Sequence, residues 1–193
     1  MPRHPKVAPS VAAISSSVFS SLAHRLATFP SETYPLHVSD TWLEPPKGCR
    51  MEDLTVAEYP GMHRYASPHG MAALIEAIVE RIRARTGAPT EPSNVLLAAG
   101  ATGGLGAVAG AILAPGDEVL ILAPYWPLIA GIVRSFHGQP VAVPFFSRVD
   151  SPETAVEAVA ERAGERTVAL YLNTPNNPTG RVIPRAQVEA LVA

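Results

Sequence analysis

From Val95 onward, short apolar runs alternate with helix-patterned segments, and this alternation limits the fold more than any other feature of the chain. Val95–Ala98, Val119–Ala123, Val141–Pro144 and Val168–Leu172 read as strands. Between them Gly103–Leu113, Pro127–Phe136 and Pro152–Ala163 read as helices, and a last helix begins around Pro184 with Val188, Leu191 and Val192 on one stripe. Strands joined in this way form right-handed βαβ units and a mainly parallel sheet covered on both faces. The expected class is α/β, a three-layer α/β/α arrangement. Punctuation agrees: Gly116, Gly138 and Gly164 lie past helix ends, while Pro127 and Pro152 stand near helix starts.

The first sixty residues are proline-rich and poorly periodic, with one candidate helix over Val11–Ala27. They read as an N-terminal arm or part of a small domain, residues 1–60, ahead of a main domain at 61–193. In that domain Ser67 is a natural N-cap and Pro68 suits a first helical position. Met71, Leu74, Ile75, Ile78, Val79 and Ile82 then recur at helical spacing until Gly87 and Pro89. The final helix reaches Ala193 inside its apolar stripe, so the main domain is expected to be truncated on its C-terminal side.

Composition excludes several classes. A chain of 193 residues, 47% hydrophobic and 17% charged, can bury a sizeable core without disulfides. A net charge of −2 gives no basic face for nucleic acid or an acidic membrane. The single cysteine, Cys49, fits a reducing, cytoplasmic setting. His4, His24, His37, His63, His69 and His137 lack metal-ligand spacing, so no metal site is expected. Val95–Ala114 is uncharged and includes the small-xxx-small pair Gly106 and Gly110, but its central glycines weaken a spanning helix, and a buried strand, loop and helix explain it better. Ser15, Ser16, Ser17, His24 and Arg25 interrupt the apolar patches of Val7–Phe29, which argues against a signal peptide.

Open α/β sheets bind ligands beyond the carboxyl ends of their strands, and three unusual loops follow the predicted strands. Ala99-Gly100-Ala101-Thr102-Gly103-Gly104 opens a helix whose free N–H groups suit a phosphate. Pro124-Tyr125-Trp126-Pro127 brings an indole that can stack on a planar ring. Asn173-Thr174-Pro175-Asn176-Asn177-Pro178-Thr179-Gly180 is a proline-stiffened loop offering amide donors. A phosphate cradle, a ring platform and an amide donor describe a site for a flat phosphorylated cofactor.

Asn-Asn-Pro-Thr-Gly after an apolar strand, Pro-Tyr-Trp-Pro, Gly-Ala-Thr-Gly-Gly opening a helix, and Tyr65 five residues before Gly70 together resemble class I/II aminotransferases of fold type I, from about Leu36 to the end. The resemblance implies an incomplete pyridoxal-phosphate-transferase-like large domain, pyridoxal 5′-phosphate as cofactor, and transfer of an amino group between an amino acid and a 2-oxo acid. It gives Ala101 and Thr102 to the phosphate, Trp126 to the face of the pyridine ring and Asn177 to the ring's 3′-oxygen. It further implies a homodimer in which Tyr65 reaches the neighbouring subunit's phosphate. Leu36–Pro46 resembles the family's early substrate-side loop, although Asp40 and Trp42 stand where small residues are common.

The family's reaction needs a lysine tens of residues beyond the asparagine loop. The only lysines here, Lys6 and Lys47, precede the first strand, so no catalytic residue is assigned and the chain alone is expected to be inactive. Alternatives are a non-catalytic cofactor-binding remnant or another fold type I enzyme such as a lyase or decarboxylase. A dinucleotide-binding reading rests on Gly104-Leu105-Gly106-Ala107-Val108-Ala109. That match falls within the predicted helix, and the next strand ends in Pro-Tyr-Trp rather than an acidic residue.

Overall fold

The computed structural model describes residues 6–12, 14, 24–32, 34 and 43–193. Its helices include α1 (Pro9–Ala12), α2 (Ala72–Thr86), α3 (Gly100–Ile112), α4 (Pro127–Ser135), α5 (Pro152–Ala160) and α6 (Arg185–Val192), and its strands β1 (Glu118–Ala123), β2 (Gln139–Pro144) and β3 (Thr167–Tyr171). They fall into two compact units, one of Phe29–Ala99 and one of Met1–Thr28 with Gly100–Ala193. Most of the helix expected over Val11–Ala27 and most of the Leu36–Pro46 segment lie outside the described residues.

In the larger unit the strand order is β2-β1-β3, all parallel. Central β1 has the sequence Glu-Val-Leu-Ile-Leu-Ala, and its side chains alternate between two cores. Val119 and Ile121 join Ile129, Ala130 and Val133, with Leu105 and Leu113 packed alongside, so α3 and α4 cover one face. Leu120 and Leu122 join Val143, Phe145, Ala155, Ala158 and Ile183, with Val188 and Leu191 alongside, so α5 and α6 cover the other. The result is the expected three-layer α/β/α fold. Connection geometry explains it: the chain moves outward from β1 to β2 through α4, then back across β1 to β3 through α5. Reversing direction while keeping right-handed crossovers puts the two connecting helices on opposite faces.

The glycine seam of α3 has a packing role. A Cβ on Gly110 would stand 2.8 Å from Phe136 Cε1, and one on Gly106 3.8 Å from Cε2, so the two glycines form a slot for the Phe136 ring. Among the described residues, no helix is long and apolar enough to cross a membrane. Helix α4 ends in a Schellman motif, with His137 N–H donating to the Arg134 carbonyl and Gly138 N–H to the Val133 carbonyl. His137 takes the left-handed position (φ 64°) usually given to glycine. Helix α5 opens with a capping box: Ser151 Oγ accepts from Thr154 N–H and Thr154 Oγ1 from Ser151 N–H. At the amino end of the sheet, Arg166 pairs with Glu118 at 2.6 Å and ties β3 to β1.

Two local expectations are corrected in the smaller unit. Helix α2 starts at Ala72, not Ser67. Ser67 and Gly70 close a turn through Gly70 N–H and the Ser67 carbonyl, and Gly70 has φ 114°, outside helical conformation. Its missing side chain also matters, because a Cβ there would fall 2.3 Å from Leu97 Cδ1. Val95–Ala98 is not a strand. Leu97 N–H donates to the His69 carbonyl and Val95 N–H to the Pro92 carbonyl, so these backbone groups are used locally and make no ladder among the described residues. A strand exists only with a neighbour, and hydrophobic pattern alone does not supply one.

Candidate functional site

Strand order and connection direction locate the rim. β1 continues into α4 on one face, whereas the chain beyond β3 reaches α6 on the other, so the topological switch lies between the carboxyl ends of β1 and β3. The loop Pro124-Tyr125-Trp126 leaves β1 there, and the loop 173–180 leaves β3 there. A hydrogen bond joins them, from Asn176 Nδ2 to the Pro124 carbonyl at 3.0 Å.

Trp126 is half-buried and is the N-cap of α4, with extended backbone (φ −61°, ψ 119°) before Pro127 at the first helical position. With Tyr125 it packs against the core cluster that includes Ile121 and Ile129.

The loop after β3 is held at several points. Thr174 Oγ1 accepts from Ile183 N–H at 2.9 Å, and Ile183 is anchored in the core. Asn176 N–H donates to the Arg181 carbonyl, and Gly180 N–H to the Asn176 carbonyl. The Arg181 guanidinium reaches the Phe146 carbonyl. Asn177 is exposed at the tip of this braced loop, its amide free of bonds within the described residues. Asn176, by contrast, is 3% exposed.

Helix α3 begins at Gly100, three residues earlier than expected, which puts Ala101 and Thr102 in its first turn, where N–H groups lack intrahelical acceptors. Both are exposed. The other end of α3 meets the amino end of β1, since Ala114 N–H donates to Asp117 and Gly116 N–H to the His137 carbonyl. Thirteen residues of helix span about 20 Å, as do six residues of strand. The first turn of α3, running against the strands, therefore reaches the carboxyl edge of the sheet. Leu105, one turn beyond Thr102, packs on the same cluster as Trp126.

Three of the expected residues, Thr102, Trp126 and Asn177, thus stand at one edge of one sheet, with Ala101 beside Thr102. Tyr65 belongs to the other compact unit, where it is fully exposed. The Gly104–Ala109 segment lies in the interior of α3, away from the free N–H groups a dinucleotide phosphate requires. No cluster of His, Cys, Asp or Glu among the described residues is arranged to hold a metal. An apolar cavity of about 140 Å³ opens among α3, α4 and β3, lined by Leu105, Val108, Ile112, Ile132 and Tyr171. It lies along the sheet face, not at the rim. Burial there raises the Tyr171 phenol above its ordinary value.

Sequence reasoning singled out Asn177 and passed over Asn176. The sequence held no signal to separate the two, because the chain turns at residues 177–179 and strand alternation does not apply. The bracing roles of Thr174, Thr179 and Arg181 had no signature either.

An α/β protein with a parallel sheet and polar loops gathered at its carboxyl edge is the class that fold and rim define. The chain belongs to the aminotransferase class I and II family, whose pattern matches residues 34–193. It is 40% identical over 134 residues to a probable aspartate/prephenate aminotransferase of Thermus aquaticus, covering 68% of this chain and 34% of that protein. The aspartate/prephenate aminotransferase of Thermus thermophilus is 39% identical over the same length and share. The solved aspartate aminotransferase of Thermus thermophilus with maleate superposes with a TM-score of 0.79 at 29% identity, over 97% of this chain and 50% of that one. That of Rhizobium meliloti gives 0.76 at 27% identity, over 98% and 48%. The matched region spans about a third of the length of these curated relatives and about half of the solved chains. The family depends on pyridoxal phosphate.

Proposed function

We propose that this chain supplies the front half of the cofactor site of an aminotransferase that moves an amino group between an amino acid and a 2-oxo acid. The observation that carries the reading is the bridged rim: loops from β1 and β3, hydrogen-bonded to each other, carry Trp126 and Asn177 at the sheet edge to which the first turn of α3 brings Thr102. The donor set fits pyridoxal 5′-phosphate. N–H groups of Ala101 and Thr102, with the Thr102 hydroxyl, would hold the dianionic phosphate. The indole of Trp126 would stack on the pyridine ring. The exposed amide of Asn177 would donate to the ring's 3′-oxygen and favour its deprotonated form.

When bound, the cofactor supplies the electron sink that makes the substrate's Cα–H acidic. This chain's residues would orient that ring and hydrogen-bond its phosphate. Neither Lys6 nor Lys47 occupies the family's position after the asparagine loop, so the amine that holds the cofactor covalently and shuttles the proton would come from polypeptide corresponding to the unmatched part of the relatives. In this reading residues 1–60 are an arm or part of a small domain, and 61–193 the front of the cofactor-binding domain. Tyr65 would serve the phosphate of a second copy in a homodimer.

The test is to mix the purified chain with pyridoxal phosphate and amino acids and follow the cofactor's absorbance. Binding without turnover is expected. Sustained turnover by this chain alone would contradict the assignment of the catalytic amine elsewhere, and saturable binding of NAD in preference to pyridoxal phosphate would contradict the cofactor.

A further inference from the structure

We propose that Asn176 is a positioning residue that sets the spacing between the two ring-binding groups, an inference that rests on the cofactor reading above. Its side chain is nearly inaccessible, 3% exposed, yet it lies between two loops that leave different strands. Both hydrogens of its amide are used. One goes to the Pro124 carbonyl at 3.0 Å, across 52 residues of sequence, and the other to Thr179 Oγ1 at 2.9 Å. The first bond reaches the β1 loop two residues before Trp126. The second closes the tip on which Asn177 stands, immediately next in sequence.

The chemistry of the partners makes the amide hard to replace. A carbonyl only accepts, so whatever faces Pro124 O must be a donor. Pro124, Pro175 and Pro178 have no N–H of their own, which leaves few other donors for that carbonyl. The main chain of Asn176 is clamped as well, its N–H to the Arg181 carbonyl and its carbonyl to Gly180 N–H. Asn176 thus belongs rigidly to one loop and is bonded to the other, so a displacement of either moves both. A flat ring held between an indole and an amide donor needs their separation fixed within a fraction of an ångström. The phosphate donors on α3 take no part in this bond, so the two halves of the site are separable by experiment.

Asn176→Asp keeps the shape and removes the donated hydrogens, and Thr179→Ser keeps the hydroxyl and serves as the conservative control. Each 193-residue chain would be titrated with 4′-deoxypyridoxine 5′-phosphate, which has no aldehyde to react with lysines, and separately with inorganic phosphate. The resonances of the Trp126 indole N–H and the Asn177 side-chain amide would be followed without ligand. In Asn176→Asp both resonances are expected to move, and the analogue to bind about tenfold more weakly, while phosphate affinity stays within about twofold. Thr179→Ser should match the parent in all three. Movement at Asn177 with Trp126 unchanged would overturn the positioning role, as would equal losses for analogue and phosphate. Parent-like analogue binding by Asn176→Asp overturns the positioning role alone, whereas a parent chain that binds no analogue overturns the cofactor reading itself.

Discussion

Replacing Gly110 by alanine sets two effects of known sign against each other in the helix that carries Thr102. Alanine is favoured over glycine in a helix interior by about 1 kcal/mol. Against this, the new Cβ would stand 2.8 Å from Phe136 Cε1, well inside contact distance, with Cδ1 tight at 3.2 Å and Cζ at an ordinary 3.5 Å. Overpacking of this kind costs about 1–3 kcal/mol. The ring is 37% exposed and can escape by swinging outward. That gives up burial of roughly 120 Å², about 3 kcal/mol at 25 cal/mol per Å², which caps the relief. A net loss of about 1 kcal/mol is expected for Gly110→Ala. Gly106→Ala, whose Cβ would meet Phe136 Cε2 at an ordinary 3.8 Å, should instead stabilise by about 0.5–1 kcal/mol. In a Phe136→Ala background Gly110→Ala should also become stabilising. Urea unfolding followed by far-ultraviolet circular dichroism, with unchanged m-values, measures all four variants. If Gly110→Ala stabilises the parent as much as Gly106→Ala does, the glycine seam is not a slot for Phe136.

Three further outcomes are expected. His137→Gly relieves a left-handed residue at the end of α4 and should raise stability by about 1 kcal/mol in the same urea assay. Ser151→Ala removes the oxygen that accepts from Thr154 N–H and should lower stability by about 1 kcal/mol, with Ser151→Asp restoring most of it. Tyr171, whose phenol is raised by burial, binds its proton more tightly folded than unfolded, so the folded state loses stability as pH climbs past the ordinary phenol value of about 10; that loss, followed by urea unfolding at rising pH, should be smaller in Tyr171→Phe.

The sheet was legible because burial on both faces leaves strands such as Val119–Ala123 almost wholly apolar, and the observed β1, β2 and β3 begin within two residues of where the pattern puts them. Val95–Ala98 has the same local character and forms no strand, because pairing depends on a neighbour that no local pattern encodes. Ser67-Pro68 looks like a helix start. Gly70, at φ 114° and with no room for a Cβ beside Leu97, stands outside the helix, which begins at Ala72. The spacing of Gly106 and Gly110 was visible, but not what fills it, since Phe136 lies a helix and a strand further along the chain. At the rim, the exposed Thr102 and Asn177 and the half-buried Trp126 were readable from residue type and position after a strand. The buried bond that joins two of their loops was not, because Asn176 and Pro124 meet only through the β2-β1-β3 strand order.

The most direct measurement is fluorescence of Trp126 in a Trp42→Phe chain, where it is the sole tryptophan, titrated with 4′-deoxypyridoxine 5′-phosphate. A ring stacked on the indole predicts saturable quenching that weakens when either Thr102→Val removes the hydroxyl that donates to the phosphate or Asn177→Ala removes the amide donor. Emission that stays unchanged through the titration, or quenching indifferent to both substitutions, would contradict a shared cofactor rim at the ends of β1 and β3.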